Sequence, residues 1–134
     1  GGRKRILIVD DQAAARYILV KLIEAKRYTV REAKNGSEGL RMAKEVVPDF
    51  IFLDLEMPDI WGFDVLKQLK ADPVTESIPV AIVTSLFLSD EERARVECQA
   101  CAVVSKSELS RARIEQLLTD TLTDSLNRTV EFAR

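Results

Sequence analysis

The sequence predicts an α/β domain built on a doubly wound parallel sheet of five strands, with helices on both faces. Three observations carry this. The 134 residues suit one compact domain with at most a short appendage. Three runs of strand length are apolar throughout, Ile6-Leu7-Ile8-Val9, Phe50-Ile51-Phe52-Leu53 and Val80-Ala81-Ile82-Val83, and such continuous runs mean burial on both sides, the mark of parallel strands between helical layers. Between the runs lie segments of helical spacing, so that strand and helix alternate.

Taken in order, the first run ends at Asp10-Asp11 and leads into a helical pattern over about 13–25. Thr29-Val30-Arg31-Glu32-Ala33 is half polar and reads as an edge strand. A helix over 36–46 is announced by Asn35 and Glu38, which have the N-cap-to-N3 spacing of a capping box. The run 50–53 is followed by a helix over 62–71, and the run 80–83 by one over 89–99, where Ser89 and Glu92 repeat the capping-box spacing. Ala102-Val103-Val104 is the fifth strand, and a long helix begins near 107. Pro48, Pro58, Pro73 and Pro79 all fall in loops or just ahead of strands, where a missing amide is harmless. Right-handed crossovers favour the flavodoxin-like strand order 2-1-3-4-5, which is taken over from known doubly wound sheets rather than derived from these residues. That order puts the polar strand at an edge. The expected organisation is a tail at 1–3, a domain over 4–119 and a helical extension over 120–134.

Composition narrows the function. Hydrophobic residues make up 46% and charged residues 31%, enough to fill one core and too apolar for a disordered chain. Twenty Lys and Arg against 22 Asp and Glu leave a formal charge of −2, without the basic excess that holds a phosphate backbone, so no direct nucleic-acid partner is expected. There is no His at all, which removes Ser-His-Asp and Cys-His catalysis and His metal sites. No apolar stretch approaches the ~20 residues of a membrane helix. Cys98 and Cys101 are too few for a disulfide framework and fit a reducing compartment, which makes a cytoplasmic location the expectation. Gly1-Gly2, without an initiator Met, reads as a cloning remnant on a piece of something longer.

In a doubly wound sheet the site lies at the carboxyl ends of the strands. Here those ends carry Asp10-Asp11, Asp54, Thr84-Ser85 and Ser105-Lys106. Singly, each has a plain structural reading: Asp11 as a helix N-cap, Asp54 as a turn former, Thr84 as a β-branched strand residue, Lys106 as a solvated lysine. Their coincidence on one rim is what points to chemistry. Three carboxylates packed together repel and raise one another's pKa unless a cation holds them ionised. A divalent cation together with Lys106 would neutralise them, and oxygen-only ligands favour Mg²⁺ over Zn²⁺.

With these residues in place, the chain resembles the receiver domains of bacterial two-component response regulators. The matching stretches are Ile6-Leu-Ile-Val-Asp10-Asp11-Gln12, Pro48-Asp49-Phe-Ile-Phe-Leu-Asp54-Leu-Glu56-Met57-Pro58-Asp-Ile-Trp61-Gly62-Phe63, Ile78-Pro79-Val-Ala-Ile-Val-Thr84-Ser85 and Val103-Val-Ser-Lys106, in order over about 4–119. The resemblance implies a phosphorelay switch in which Asp54 accepts a phosphoryl group from a phosphohistidine on a histidine kinase or histidine phosphotransfer protein. It implies Mg²⁺ held by Asp11, Asp54 and the backbone carbonyl of Glu56, with Asp10 acting through a water. Lys106 and Thr84 would contact the phosphoryl oxygens, and the loop after strand four would carry the signal to an output domain or protein. Such a chain catalyses only its own phosphoryl transfer and dephosphorylation and is not otherwise an enzyme.

Four positions depart from the pattern. Ser107 follows Lys106 where the family has Pro, so the customary cis peptide is not expected. Val103 stands where the family often has an aromatic that reports the switch. Cys101-Ala102 replaces the acidic start of strand five, so the ionic dimer face of many DNA-binding regulators is not assembled. Trp61 is either a packed loop aromatic or a partner contact. Cys98-Gln-Ala-Cys101 falls at a helix end, not at the N-terminus that activates a thiolate, and reads as two reduced cysteines. Leu118, Leu122, Leu126 and Val130 form one stripe at four-residue spacing, which suits a loose tail, a helix folded on its own domain, or a linker or weak homodimer helix. Two other functions share the fold: an unphosphorylated pseudo-receiver, and a metal-dependent phosphohydrolase, which would want a second Asp where Glu56 stands.

Overall fold

The computed structural model describes the backbone of residues 2–132 and the side chains of residues 2–122. Strands β1 (Lys4–Val9), β2 (Tyr28–Ala33), β3 (Phe50–Leu53), β4 (Val80–Thr84) and β5 (Ala102–Ser105) alternate with helices α1 (Ala13–Leu22), α2 (Gly36–Val46), α3 (Gly62–Ala71), α4 (Asp90–Glu97) and α5 (Arg111–Phe132). All strand pairs are parallel, in the order β2-β1-β3-β4-β5. The half-polar β2 is at the edge, as its composition requires.

The two-residue period of the strands divides the core. Ile6, Ile8, Phe50, Phe52, Ala81, Val83 and Val104 face α1 and α5, where Leu19, Ile23, Ile114 and Leu118 cover them. Leu7, Val9, Ile51, Leu53, Val80 and Ile82 face the other way and are covered by Met42, Val65, Leu66, Leu69 and Val96. Phe50 and Phe52 pack on one another with ring centroids 4.9 Å apart. Truncating a buried Phe of this kind costs about 3–5 kcal/mol.

The helices depart from sequence periodicity at their ends. α1 stops at Leu22 instead of 25 because Ile23 turns to extended backbone and is buried, its amide still bonded to Leu19 O. α4 is shorter at both ends: Ser89 is its N-cap, with the full capping box formed, and the amides of Gln99 and Ala100 both tighten onto Val96 O. At α2 only half of the expected box forms, Asn35 Oδ1 accepting from the Glu38 amide. The long helix begins at Arg111, not 107, since Lys106–Glu108 form a 3₁₀ turn and Ser110 Oγ accepts from the Arg113 amide as the true cap. Leu118 is buried and Leu122 packs against the α1–α5 side of the core, whereas the Leu126 and Val130 side chains, and with them the dimer-stripe expectation, lie outside the described residues.

Among the described residues, one backbone position is strained. Val47, at the end of α2, has φ 46° and ψ 67°, the left-handed region that glycine adopts freely and a β-branched residue adopts at a cost.

Candidate functional site at the carboxyl ends of the strands

The rim gathers side chains from four strands. Asp10 and Asp11 follow β1, Asp54 follows β3, Thr84 ends β4 and Lys106 follows β5. Each apolar run buries its strand, and where the run ends the next residue emerges at the rim; Asp10, Asp54 and Thr84 are nonetheless buried, while Asp11 is exposed. Carboxylate oxygens of Asp10, Asp11 and Asp54 all lie within 4.8 Å of one another. Lys106 Nζ is 2.8 Å from Asp10 Oδ2 and 3.3 Å from Asp54 Oδ2.

Backbone amides fix the carboxylates' remaining oxygens. Gln12 N–H donates to Asp10 Oδ1 at 2.9 Å, and Leu55 N–H donates to Asp54 Oδ1 at 2.8 Å. Burial is the main cause that pushes the Asp54 carboxyl above its ordinary range, with the Asp10 charge adding to it; Lys106 and the nearby Thr84 hydroxyl pull the other way without cancelling it. Burial opposes the charge of Lys106, but Asp10 and Asp54 outweigh that and hold the ammonium above its usual range. The cluster thus has more negative charge than one lysine neutralises. Thr84 Oγ1 accepts from the Leu86 amide at 3.1 Å, which ties the threonine to the loop before α4. Glu56 has an exposed side chain in the loop after β3. Every peptide bond among the described residues is trans, the one after Lys106 included.

Three residues to which sequence reasoning gave no role build the supports. Arg16, one turn into α1, donates to Asp10 O at 2.7 Å and to Glu32 Oε1 at 3.0 Å, so it clamps the end of β1 to β2. Its place one turn after an acidic pair was the only available sign. Asp59 receives the amides of Gly36 and Ser37 at 3.0 and 2.9 Å, and this carboxylate from the β3–α3 loop completes the cap that Asn35 begins. Partial desolvation works against its charge, yet those amides hold the Asp59 carboxyl down at about 2. Gly62 brings the returning loop onto β3: its amide donates to Leu55 O at 2.8 Å, and a Cβ there would run into the Asp54 carbonyl and Leu55 Cα. Trp61, the residue before it, is exposed rather than packed.

Fold and site together define a doubly wound domain with an acidic trio and one lysine at its strand ends. The chain belongs to the response regulator receiver domain family, whose model matches residues 6–119. It is 39% identical over 92 residues to protein PilH of Pseudomonas aeruginosa, covering 69% of this chain and 74% of that one. It is also 39% identical over 93 residues to the polar-differentiation response regulator DivK of Brucella anthropi, covering 69% and 76%. Its match to response regulator PleD of Caulobacter vibrioides is 44% over 82 residues, 61% of this chain but 18% of that longer protein. Among solved structures, the CheY-like receiver protein of Methanospirillum hungatei superposes with a TM-score of 0.82 at 24% identity over 95% of this chain and 99% of that one. The chemotaxis protein CheY4 of Vibrio cholerae does so with 0.79 at 22%, over 90% and 99%. At these identities the likeness shows the shared fold.

Proposed function

We propose that this receiver domain is a phosphorylation-dependent switch whose acceptor is Asp54. The observation that carries the reading is the position of the Asp54 carboxylate, 3.3 Å from Lys106 Nζ and grouped with the Asp10 and Asp11 carboxylates. In the transfer, an Asp54 oxygen forms the new bond to phosphorus as the donor's P–N bond breaks, and the donor imidazole retains the bonding electrons. Such transfer needs charge stabilisation and positioning more than covalent assistance from the protein. Lys106 supplies a fixed cation on the Asp54 side of the cluster, and Leu55 N–H orients the carboxylate. A histidine kinase or histidine phosphotransfer protein is the proposed donor, and an output domain or protein the proposed reader.

The donor set fits Mg²⁺: all oxygen, more negative than Lys106 neutralises, with Asp11 open to solvent. Asp11, Asp54 and the Glu56 carbonyl would hold the ion, with Asp10 acting through a water. Bound there, it would offset the charge that accumulates on the phosphoryl oxygens. The residues' own share is to hold the carboxylates ready, which Gln12, Leu55 and Lys106 do by the bonds described above.

The test is incubation with a small acyl-phosphate donor and Mg²⁺. One stable equivalent per chain, lost in Asp54→Asn, supports the switch. Sustained turnover of the donor by the Asp54 site would make the domain a phosphohydrolase, and no incorporation would make it a pseudo-receiver.

A further inference from the structure

The loop between β3 and α3 runs from Asp54 to Trp61 and carries both the proposed acceptor and the Glu56 carbonyl proposed as a ligand of Mg²⁺. Its two ends meet, since the Gly62 amide donates to Leu55 O at 2.8 Å. Within the loop Met57 is buried and Ile60 packs against the core, while Glu56, Pro58 and Asp59 are exposed. Among the described residues, the hydrogen bonds that tie positions 56–60 to another element all end on the Asp59 carboxylate, from the Gly36 amide at 3.0 Å and the Ser37 amide at 2.9 Å.

Capping α2 does not by itself account for these bonds. Asn35, the N-cap residue, already accepts from the Glu38 amide at 2.8 Å, and one such side-chain oxygen is what a helix start ordinarily uses. Asp59 arrives from 23 residues beyond Gly36 and takes two more amides. The segments also meet closely: a Cβ on Gly36 would lie 3.0 Å from Ile60 Cβ and from Val65 Cγ2, and 3.3 Å from Ile60 O. The loop thus rests on the first turn of α2 with no room to move toward it. Met57 alone is a compliant anchor, because an unbranched side chain with three rotatable bonds lets the backbone turn about it. Two amides bonded to one ionised carboxylate are directional and fix that turn.

We propose that Asp59 is a positioning residue for the metal site: by pinning the β3–α3 loop to the first turn of α2, it holds the Glu56 carbonyl where Mg²⁺ would meet it. This role rests on the ligand set proposed above. It also makes α2 a support of the site, and because linkage is reciprocal, an ion that fixes the loop tightens the Gly36 and Ser37 amides in turn.

The test is a Mg²⁺ titration of the whole chain, followed by Trp61 emission and by the Leu55 and Gln12 amide shifts. Trp61 is the single tryptophan and stands two residues after Asp59 in the same loop. Asp59→Ala should bind Mg²⁺ about tenfold more weakly, the low end of what losing a ligand's support costs. Asp59→Asn, which keeps the shape and one neutral acceptor oxygen, should lose about threefold and decides the matter if Asp59→Ala does not fold. Asn35→Ala strips the other part of the same cap and lowers the urea midpoint to a similar degree, yet should keep the parent's Mg²⁺ affinity. Hydrogen exchange of the Gly36 and Ser37 amides should slow with saturating Mg²⁺ in the parent and not in Asp59→Ala. Parental affinity in both Asp59 variants overturns the proposal and leaves the metal reading standing. Equal weakening in Asn35→Ala overturns it too, since the stability of α2 would then be what counts, as does amide exchange that Mg²⁺ leaves unchanged. No response to Mg²⁺ in the parent removes the ligand set itself, and the role of Asp59 with it.

Discussion

The two halves of the strand-end rim are built differently. On the side of β1 and β3, long-range bonds fix every loop: Arg16 joins β1 to β2, Asp59 joins the β3–α3 loop to α2, and Gly62 lays that loop on Asp54. On the side of β4 and β5, helix α4 buries only Val96, whereas α2 and α3 each bury four residues. The loop ahead of α4 holds the exposed Phe87 and is joined to the site through Thr84 Oγ1 and the Leu86 amide. A phosphoryl acceptor gains from rigid placement, and a readout gains from an element whose displacement exposes little apolar surface. The contrast teaches that one short rim can join a tightly braced part to a lightly packed one, as the proposed switch requires, because each strand end carries its own loop.

The largest expected effect falls on the fixed half. Asp54→Asn should reduce phosphate incorporation to background while raising the urea midpoint, since it removes a buried carboxylate whose charge burial and Asp10 oppose. Full incorporation in that variant would move the acceptor elsewhere. On the less deeply packed half, Thr84→Ala should still take up phosphate on Asp54 but lose most of the accompanying amide-shift changes over residues 86–97. Shifts identical to those of the parent would mean that the loop moves without Thr84, and would remove the contrast.

Smaller effects sharpen it. Asp59→Asn should destabilise the fixed half by up to about 1 kcal/mol, the scale of a lost N-cap carboxylate, reduced by solvent at this exposed position. The sign follows from the depressed carboxyl, which is held at about 2 against an ordinary 3.8. Its contribution is full above about pH 4 and is lost as pH falls through about 2. Urea midpoints of parent and Asp59→Asn should therefore differ most at neutral pH and converge in acid; a constant difference would show that the carboxylate's charge is not what counts. The smallest effect lies at the opposite end of the sheet, where Val47→Asn should add about 0.5–1 kcal/mol by relieving left-handed strain. A lower midpoint would show that the valine side chain contributes more than its backbone costs.

The sheet and its acidic rim were legible because one physical rule produces both. A strand buried on both faces must be apolar throughout, so its end is visible in the sequence, and the site of such a sheet lies at those ends. Asp10, Asp11, Asp54, Thr84 and Lys106 could therefore be picked out without a structure, and the half-polar β2 could be sent to the edge. The helix ends were less legible, because Ile23 leaves α1 for a place in the core and Ser110 caps α5 only after a 3₁₀ turn. What tertiary structure alone decided is every feature that needs two distant segments at once. Asp59 is an unremarkable loop aspartate until it meets the amides of Gly36 and Ser37, and Arg16 a surface arginine until Glu32 lies beside it. Phe87 and Trp61 share a cleft only because the β3–α3 and β4–α4 loops emerge side by side. Local pattern reports what one segment must bury; which segments become neighbours is settled by packing, and packing is what gives those side chains their partners.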